Sequence, residues 1–159
     1  MRIESRLDSV LDRPFVFHER PISVAADSRG IWRVPLLLML TRSCRGEKAT
    51  QEQLHVLNWA VRSSDSAERL ASFLTGDLRP EEAVVRFEPA LNRALALARG
   101  LELLGWEGRY WTLREPAREI LAAIDGEDGL MSEQKAILGG LGKLLTQKAV
   151  SELFGRGPR

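Results

Sequence analysis

Two histidines, His18 and His55, and one cysteine, Cys44, are the chain's whole supply of imidazole and thiol. Zinc or nucleophilic chemistry needs such groups in closely spaced sets. These three lie far apart and read as structural or surface residues. The stretch Gly139-Gly140-Leu141-Gly142-Lys143-Leu144 superficially resembles a phosphate loop. That signature requires a glycine five positions before the Gly-Lys pair and a hydroxyl just after it. Ile137 and Leu144 stand there instead, and no strand pattern precedes them. Glu81-Glu82 and Glu127-Asp128 are adjacent carboxylates, which seldom converge on one substrate and read as solvated loop charge. Ser43, Ser63 and Ser66 lack the glycine-flanked elbow of an activated serine. The sequence therefore offers no reaction chemistry, no metal set and no cofactor motif, and the expectation is a protein that is not an enzyme.

Binding chemistry has better candidates. Arg29, Arg33, Arg42 and Arg45 bracket one apolar segment with no acid among them. They could grip phosphates or an acidic partner, or simply be solvated helix ends. A second set, Asn92, Arg93 and Arg99, lies on an alanine- and leucine-rich stretch. Arg109 follows at a turn. Arginine and asparagine are the side chains that read base edges. The rest of that stretch, Ala90, Leu91, Ala94, Leu95, Ala96, Leu97 and Ala98, is small or apolar. A helix apolar all round is normally buried, so this one reads as a packing or dimerisation helix.

The elements that would carry these residues follow from pattern. A first core helix is expected over 32–43, with Pro35 in its first turn, where a missing N–H costs little. Thr50 and Gln53 have capping-box spacing and should open a helix over 51–62. Ser64-Asp65-Ser66 reads as a turn, followed by a short helix over 67–74. The β-branched content of 83–87 predicts a strand. Pro89 starts the helix over 90–99. Two strands, 101–106 and 109–113, then form a hairpin turning at Glu107-Gly108. Tyr110 and Trp111 alternate across the second strand, so one ring should face inward and the other outward. Pro116 opens a helix over 117–124. After a polar break at 125–129, Ser132 should cap a last helix reaching about Phe154, with Ile137, Leu141, Leu144, Leu145 and Lys148 on one face. Its glycines, Gly139, Gly140 and Gly142, would each cost about 1 kcal/mol and suggest close packing.

A chain of 159 residues with 44% hydrophobic and 28% charged residues can bury a core without disulfides. Its formal charge of +1 argues against a strongly basic, nonspecific nucleic-acid binder. A lone cysteine points to a reducing compartment, and the location expected is the cytoplasm. The apolar run Val34 to Leu40 is far too short to span a bilayer, and the N-terminal residues carry acids and no apolar signal core, so no membrane partner and no secretion signal are expected.

The order of helix, two-stranded wing and helix looks like the end of a winged-helix domain. The segment Arg86-Phe87-Glu88-Pro89-Ala90-Leu91-Asn92-Arg93-Ala94, with Gly100-Leu101, the wing ending Trp111-Thr112-Leu113-Arg114, and Gln53 to Ala60, resembles small winged-helix proteins encoded beside SMC-like ATPases. These are the middle components of three-component ABC-ATPase systems of bacterial conflict and phage defence. The likeness spans 32–153. Arg114-Glu115-Pro116 departs from it where many winged helices carry a Lys-Gly pair. The fold so implied is mainly α with a small β-hairpin, a winged helix-turn-helix with an arm over 1–30, a domain over 31–126, and a C-terminal helix over 130–155 packed on the domain or on a partner. The role implied is a non-catalytic, dimeric accessory subunit joining an ABC/SMC-like ATPase to an effector or to double-stranded DNA. The alternative is a stand-alone DNA-binding regulator.

Overall fold

The computed structural model describes residues 30–155. The expected arm over 1–30 therefore lies almost wholly outside the described residues. The described part is mainly helical, with one small three-stranded antiparallel sheet. Helix α1 spans Gly30–Ser43, β1 Lys48–Ala49, α2 Gln51–Ala60, α3 Ser64–Thr75, α4 Pro89–Gly100, β2 Leu104–Glu107, β3 Tyr110–Leu113, α5 Glu115–Gly126, α6 Ser132–Leu141 and α7 Gln147–Leu153.

Helix α1 is the centre of the core. Leu37, Leu38 and Leu40 are fully buried, and α1 packs against α2, α4, α5, α6 and β3. Leucine burials of this kind stabilise by about 2 kcal/mol each. The helix begins earlier than the sequence suggests, so Pro35 lies beyond the first turn. There it removes one internal hydrogen bond. Thr41, also buried, finds a partner by donating from Oγ1 to the Leu37 carbonyl at 2.9 Å.

Both halves of the expected capping box form. Thr50 Oγ1 accepts from the Gln53 amide, and Gln53 Oε1 accepts from the Thr50 amide at 2.9 Å. Gln53 also reaches the C-terminal segment, where its Nε2 donates to the Leu145 carbonyl at 2.8 Å. Helix α3 starts where the sequence predicts a turn. Ser63 caps it by accepting from the Ser66 amide at 3.2 Å, which draws Ser64-Asp65-Ser66 into its first turn.

The hairpin forms, but β2 starts three residues later than its pattern suggests. Leu101 to Leu103 instead close the end of α4: the Leu103 amide bonds the Ala98 carbonyl at 2.9 Å and the Glu102 amide the Arg99 carbonyl at 3.0 Å. This termination places Glu102 in the left-handed region, φ 56°, a position that usually takes glycine. Sheet order is β1-β3-β2. Ala49 faces Trp111 and Trp106 faces Trp111 in the register. The short strand β1 carries no periodic signal, and the sequence does not predict it.

Two further expectations fail. Residues 83–87 form no strand and pair with none of β1, β2 and β3. Ala83 is buried there while Val84 and Phe87 stay exposed. The last helix is broken into α6 and α7 at Gly142 to Thr146. Ser132 does not cap α6; Met131, at φ 53°, holds that position without a side-chain bond. Thr146 caps α7, accepting from the Ala149 amide at 3.2 Å. Of the three glycines only Gly142 is tightly apposed; Gly139 and Gly140 face open space. The C-terminal pair packs on the rest of the fold, α6 against α1, α2 and α3, and α7 against α2.

Candidate interaction surface

Helix α4 has two faces. Leu91, Ala94, Leu95 and Ala98 are buried at helical spacing. The expectation of a helix hidden all round is therefore corrected: Asn92, Arg93, Ala96, Leu97 and Arg99 are exposed, and Leu97 is 47% accessible. Leucine and alanine on this outer face read as core in the sequence because composition cannot tell which side of a helix another element covers. Leu101, four residues beyond Leu97, is 56% accessible.

Asn92 is a bridge to α2. Its Oδ1 accepts from Gln51 Nε2 at 2.9 Å and faces His55 Nε2 at 3.0 Å. An amide oxygen accepts, so His55 carries its proton on Nε2 and leaves Nδ1 bare. That Nδ1 is buried without a partner among the described residues. Beside this bridge a groove of about 520 Å³ is lined by Gln51, Asn92, Ala96, Arg99 and Trp111. Arg93 and Arg99 make no ion pair among the described residues.

The hairpin sorts its rings as alternation requires. Trp111 is buried, Tyr110 half-buried. Trp106 is exposed and meets Trp111 edge-on with ring centroids 4.9 Å apart. At the tip, Gly108 takes φ 64° as the first of two loop residues, a place that favours glycine. Arg109 is exposed beside it, with its guanidinium 5.4 Å from the Tyr110 ring centroid.

The four arginines around α1 do not form one patch. Arg29 lies outside the described residues. Arg33 is half-buried and pairs with Glu88 at 2.7 Å. Glu88 also accepts from Asn58 Nδ2 at 3.0 Å and stands 3.5 Å from Arg62, so it ties α1 and α2 to the start of α4. Arg42 makes a two-pronged bond to Asp125 at 2.6 and 2.9 Å, joining the ends of α1 and α5. Only Arg45 is exposed and free of an ion pair among the described residues. The sequence signal is the absence of an acid nearby in the chain; both acids arrive from distant elements.

These pairings set the response to acid. The Arg33 guanidinium, bonded to Glu88, holds that carboxyl below the usual range, with Asn58 and Arg62 assisting. Arg42 does the same for Asp125. Burial pushes the His55 imidazole below its ordinary 6.5. A carboxylate with a depressed pKa stabilises the fold above its unfolded value and loses that contribution as pH falls through the folded one. A buried neutral histidine resists protonation that the unfolded chain accepts, so it destabilises as pH drops below 6.5. Denaturation midpoints followed against pH should therefore stay level down to near this value and then fall in two stages. His55→Gln should remove the first stage and leave the second. A single stage confined to the carboxylate range in the unaltered chain would refute this.

The thiol of Cys44 is buried and its pKa is pushed up to about 12 by desolvation. Its Sγ donates to the Leu40 carbonyl at 3.5 Å. Among the described residues no group of three or more His, Cys, Asp or Glu could hold a metal ion, and no helix is long and apolar enough to cross a membrane.

Sequence reasoning missed Gln51, Trp106, Lys48, Lys143 and Gln147, which line clefts next to the expected residues. The alternation that sorts Tyr110 and Trp111 could also have found Trp106. The others carry no local signal, because folding brings them together from separate elements. Comparison with protein-family models, curated proteins and solved structures finds no match to this chain.

Proposed function

We propose that this chain is a winged-helix accessory subunit that acts by holding a protein partner, an ABC/SMC-like ATPase, and carries no reaction chemistry of its own. The element order supports the winged-helix reading. A helix, a short strand and further helices precede a helix and a hairpin, and the sheet order is β1-β3-β2. Helix α3 is then an addition between α2 and α4.

The observation that carries the partner reading is the outer face of α4. Leu97 and Leu101 are exposed there beside Ala96. Residues three and four apart share a helix face, and exposed apolar groups clustered in this way mark protein contacts. Arg93 and Arg99 rim the same face, which suits a partner with an apolar centre and acidic edges. A homodimer is part of the proposal, and phage defence is the setting that the sequence resemblance suggests.

Capture of the tagged chain from its native host, followed by sizing of the complex, tests this. A large ATPase should co-purify. Leu97→Asp with Leu101→Asp should abolish that capture and leave the melting temperature within a few degrees of the parent. A second reading, a stand-alone DNA-binding regulator, draws on Arg93 and Arg99, which have no ion-pair partner among the described residues. Tight, sequence-selective binding of the lone chain to an operator would establish that reading and overturn the first.

A further inference from the structure

A second group of uncancelled charges lies away from α4. Arg45, in the turn after α1, Lys48 on β1 and Lys143 between α6 and α7 line one cleft of about 300 Å³. No carboxylate lines it. Glu47, which lies between the first two in sequence, is turned to Arg118 at 2.7 Å. None of the three cations makes an ion pair among the described residues. Like charges gathered around a recess raise the local concentration of anions.

The cleft is fixed by its surroundings. Gly142 lies so close to the end of α1 that an added Cβ would sit 2.6 Å from the Ser43 carbonyl oxygen. Leu145 is buried, and its carbonyl is held by Gln53. The backbone of Lys143 is thus held on both sides, next to the turn carrying Arg45, while its side chain is exposed. Lys48 Nζ lies 5.1 Å from the centroid of the Tyr110 ring. Gln147 Nε2 donates to Tyr110 Oη at 2.6 Å, which leaves the tyrosine hydroxyl hydrogen free to donate in turn. One guanidinium, two ammoniums and a hydroxyl donor with no opposing acid match the needs of a phosphate group.

We propose that this cleft binds phosphate esters, presented either by a nucleic-acid backbone or by a free nucleotide. It does so through Arg45, Lys48 and Lys143, separately from the partner-holding face of α4. The proposal does not depend on the identity of the protein partner.

The intact chain should be titrated with ATP by calorimetry and with a short fluorescent duplex by anisotropy, over a range of salt. At least one probe should bind. Lys48→Gln with Lys143→Gln should weaken that binding by about tenfold or more and, for the duplex, lower the salt slope by about two. The charge-matched pair Arg69→Gln and Arg79→Gln, on other elements, should leave it within about twofold. Displacement of the duplex by ATP would assign the cleft to free nucleotides; duplex binding that ATP does not displace would assign it to the backbone, and both support the proposal. It is overturned if neither probe binds, if the lysine variant binds as the parent does, if loss follows Arg93→Gln with Arg99→Gln instead, or if polyglutamate at equal charge displaces the bound probe.

Discussion

Trp111→Ala should destabilise the fold by about 3–5 kcal/mol, among the largest effects of a single truncation in a core. Trp111 is 8% exposed and sits on β3, the central strand, where it joins Ala49 of β1 and Trp106 of β2. Its ring forms part of the groove wall against α4. Truncation would remove the edge-on contact with Trp106 and open a void that a packed interior cannot close. Trp111 also carries a cost in the native state, since its Nε1 is buried with no acceptor among the described residues. An unsatisfied buried donor costs about 1–3 kcal/mol. Trp111→Phe deletes that donor and keeps a ring, so it should cost far less than the alanine variant, at about 1 kcal/mol. Thermal and denaturant unfolding of both variants would check this. Equal losses for phenylalanine and alanine would show that the indole N–H is not an unmet group, and a loss below about 1 kcal/mol for alanine would show that the sheet holds without this ring.

The second large effect is expected at Gly142. An alanine Cβ would meet Ser43 Cβ and Oγ at 2.5 Å and the Ser43 carbonyl oxygen at 2.6 Å. A serine side chain can turn away, but the carbonyl belongs to the last turn of α1 and cannot move without it. Gly142→Ala should cost about 1–3 kcal/mol as an overpacked contact. Gly139 and Gly140 are the matched controls, being helical glycines whose added Cβ meets nothing within 4 Å. Alanine at either should stabilise by up to about 1 kcal/mol, from helix propensity alone. Opposite signs at such close positions are the result to look for in unfolding curves. Stabilisation by all three substitutions would refute the close contact between Gly142 and Ser43. Since the apposition also places Lys143, Gly142→Ala should weaken phosphate-ester binding as well.

Much of the framework is legible in the sequence because local chemistry dictates it. The Thr50–Gln53 capping box, Pro89 and Pro116 in first turns, the turn at Gly108 and the alternation of Tyr110 and Trp111 each depend on residues a few positions apart. Such signals act before any tertiary contact is made, and each is found at or next to its expected place; the hairpin turns at Gly108-Arg109, one residue later than the Glu107-Gly108 its pattern suggests.

The expectations that fail depend on distant neighbours. Residues 83–87 have the composition of a strand, yet a strand needs a ladder partner, and this segment pairs with none of the three strands. The apolar stretch ahead of the hairpin dictates a helix but not which side of it is covered; α1 takes one face and leaves Leu97 outside. Arg33 and Arg42 look unopposed along the chain because Glu88 and Asp125 are far from them in sequence. Short-range residue types were enough to place a hairpin and, to within a few residues, the start of every helix before α7. Tertiary structure alone decided which charges are cancelled and which, at Arg45, Lys48 and Lys143, are gathered, because electrostatic pairing follows distance in space and the chain order does not record it.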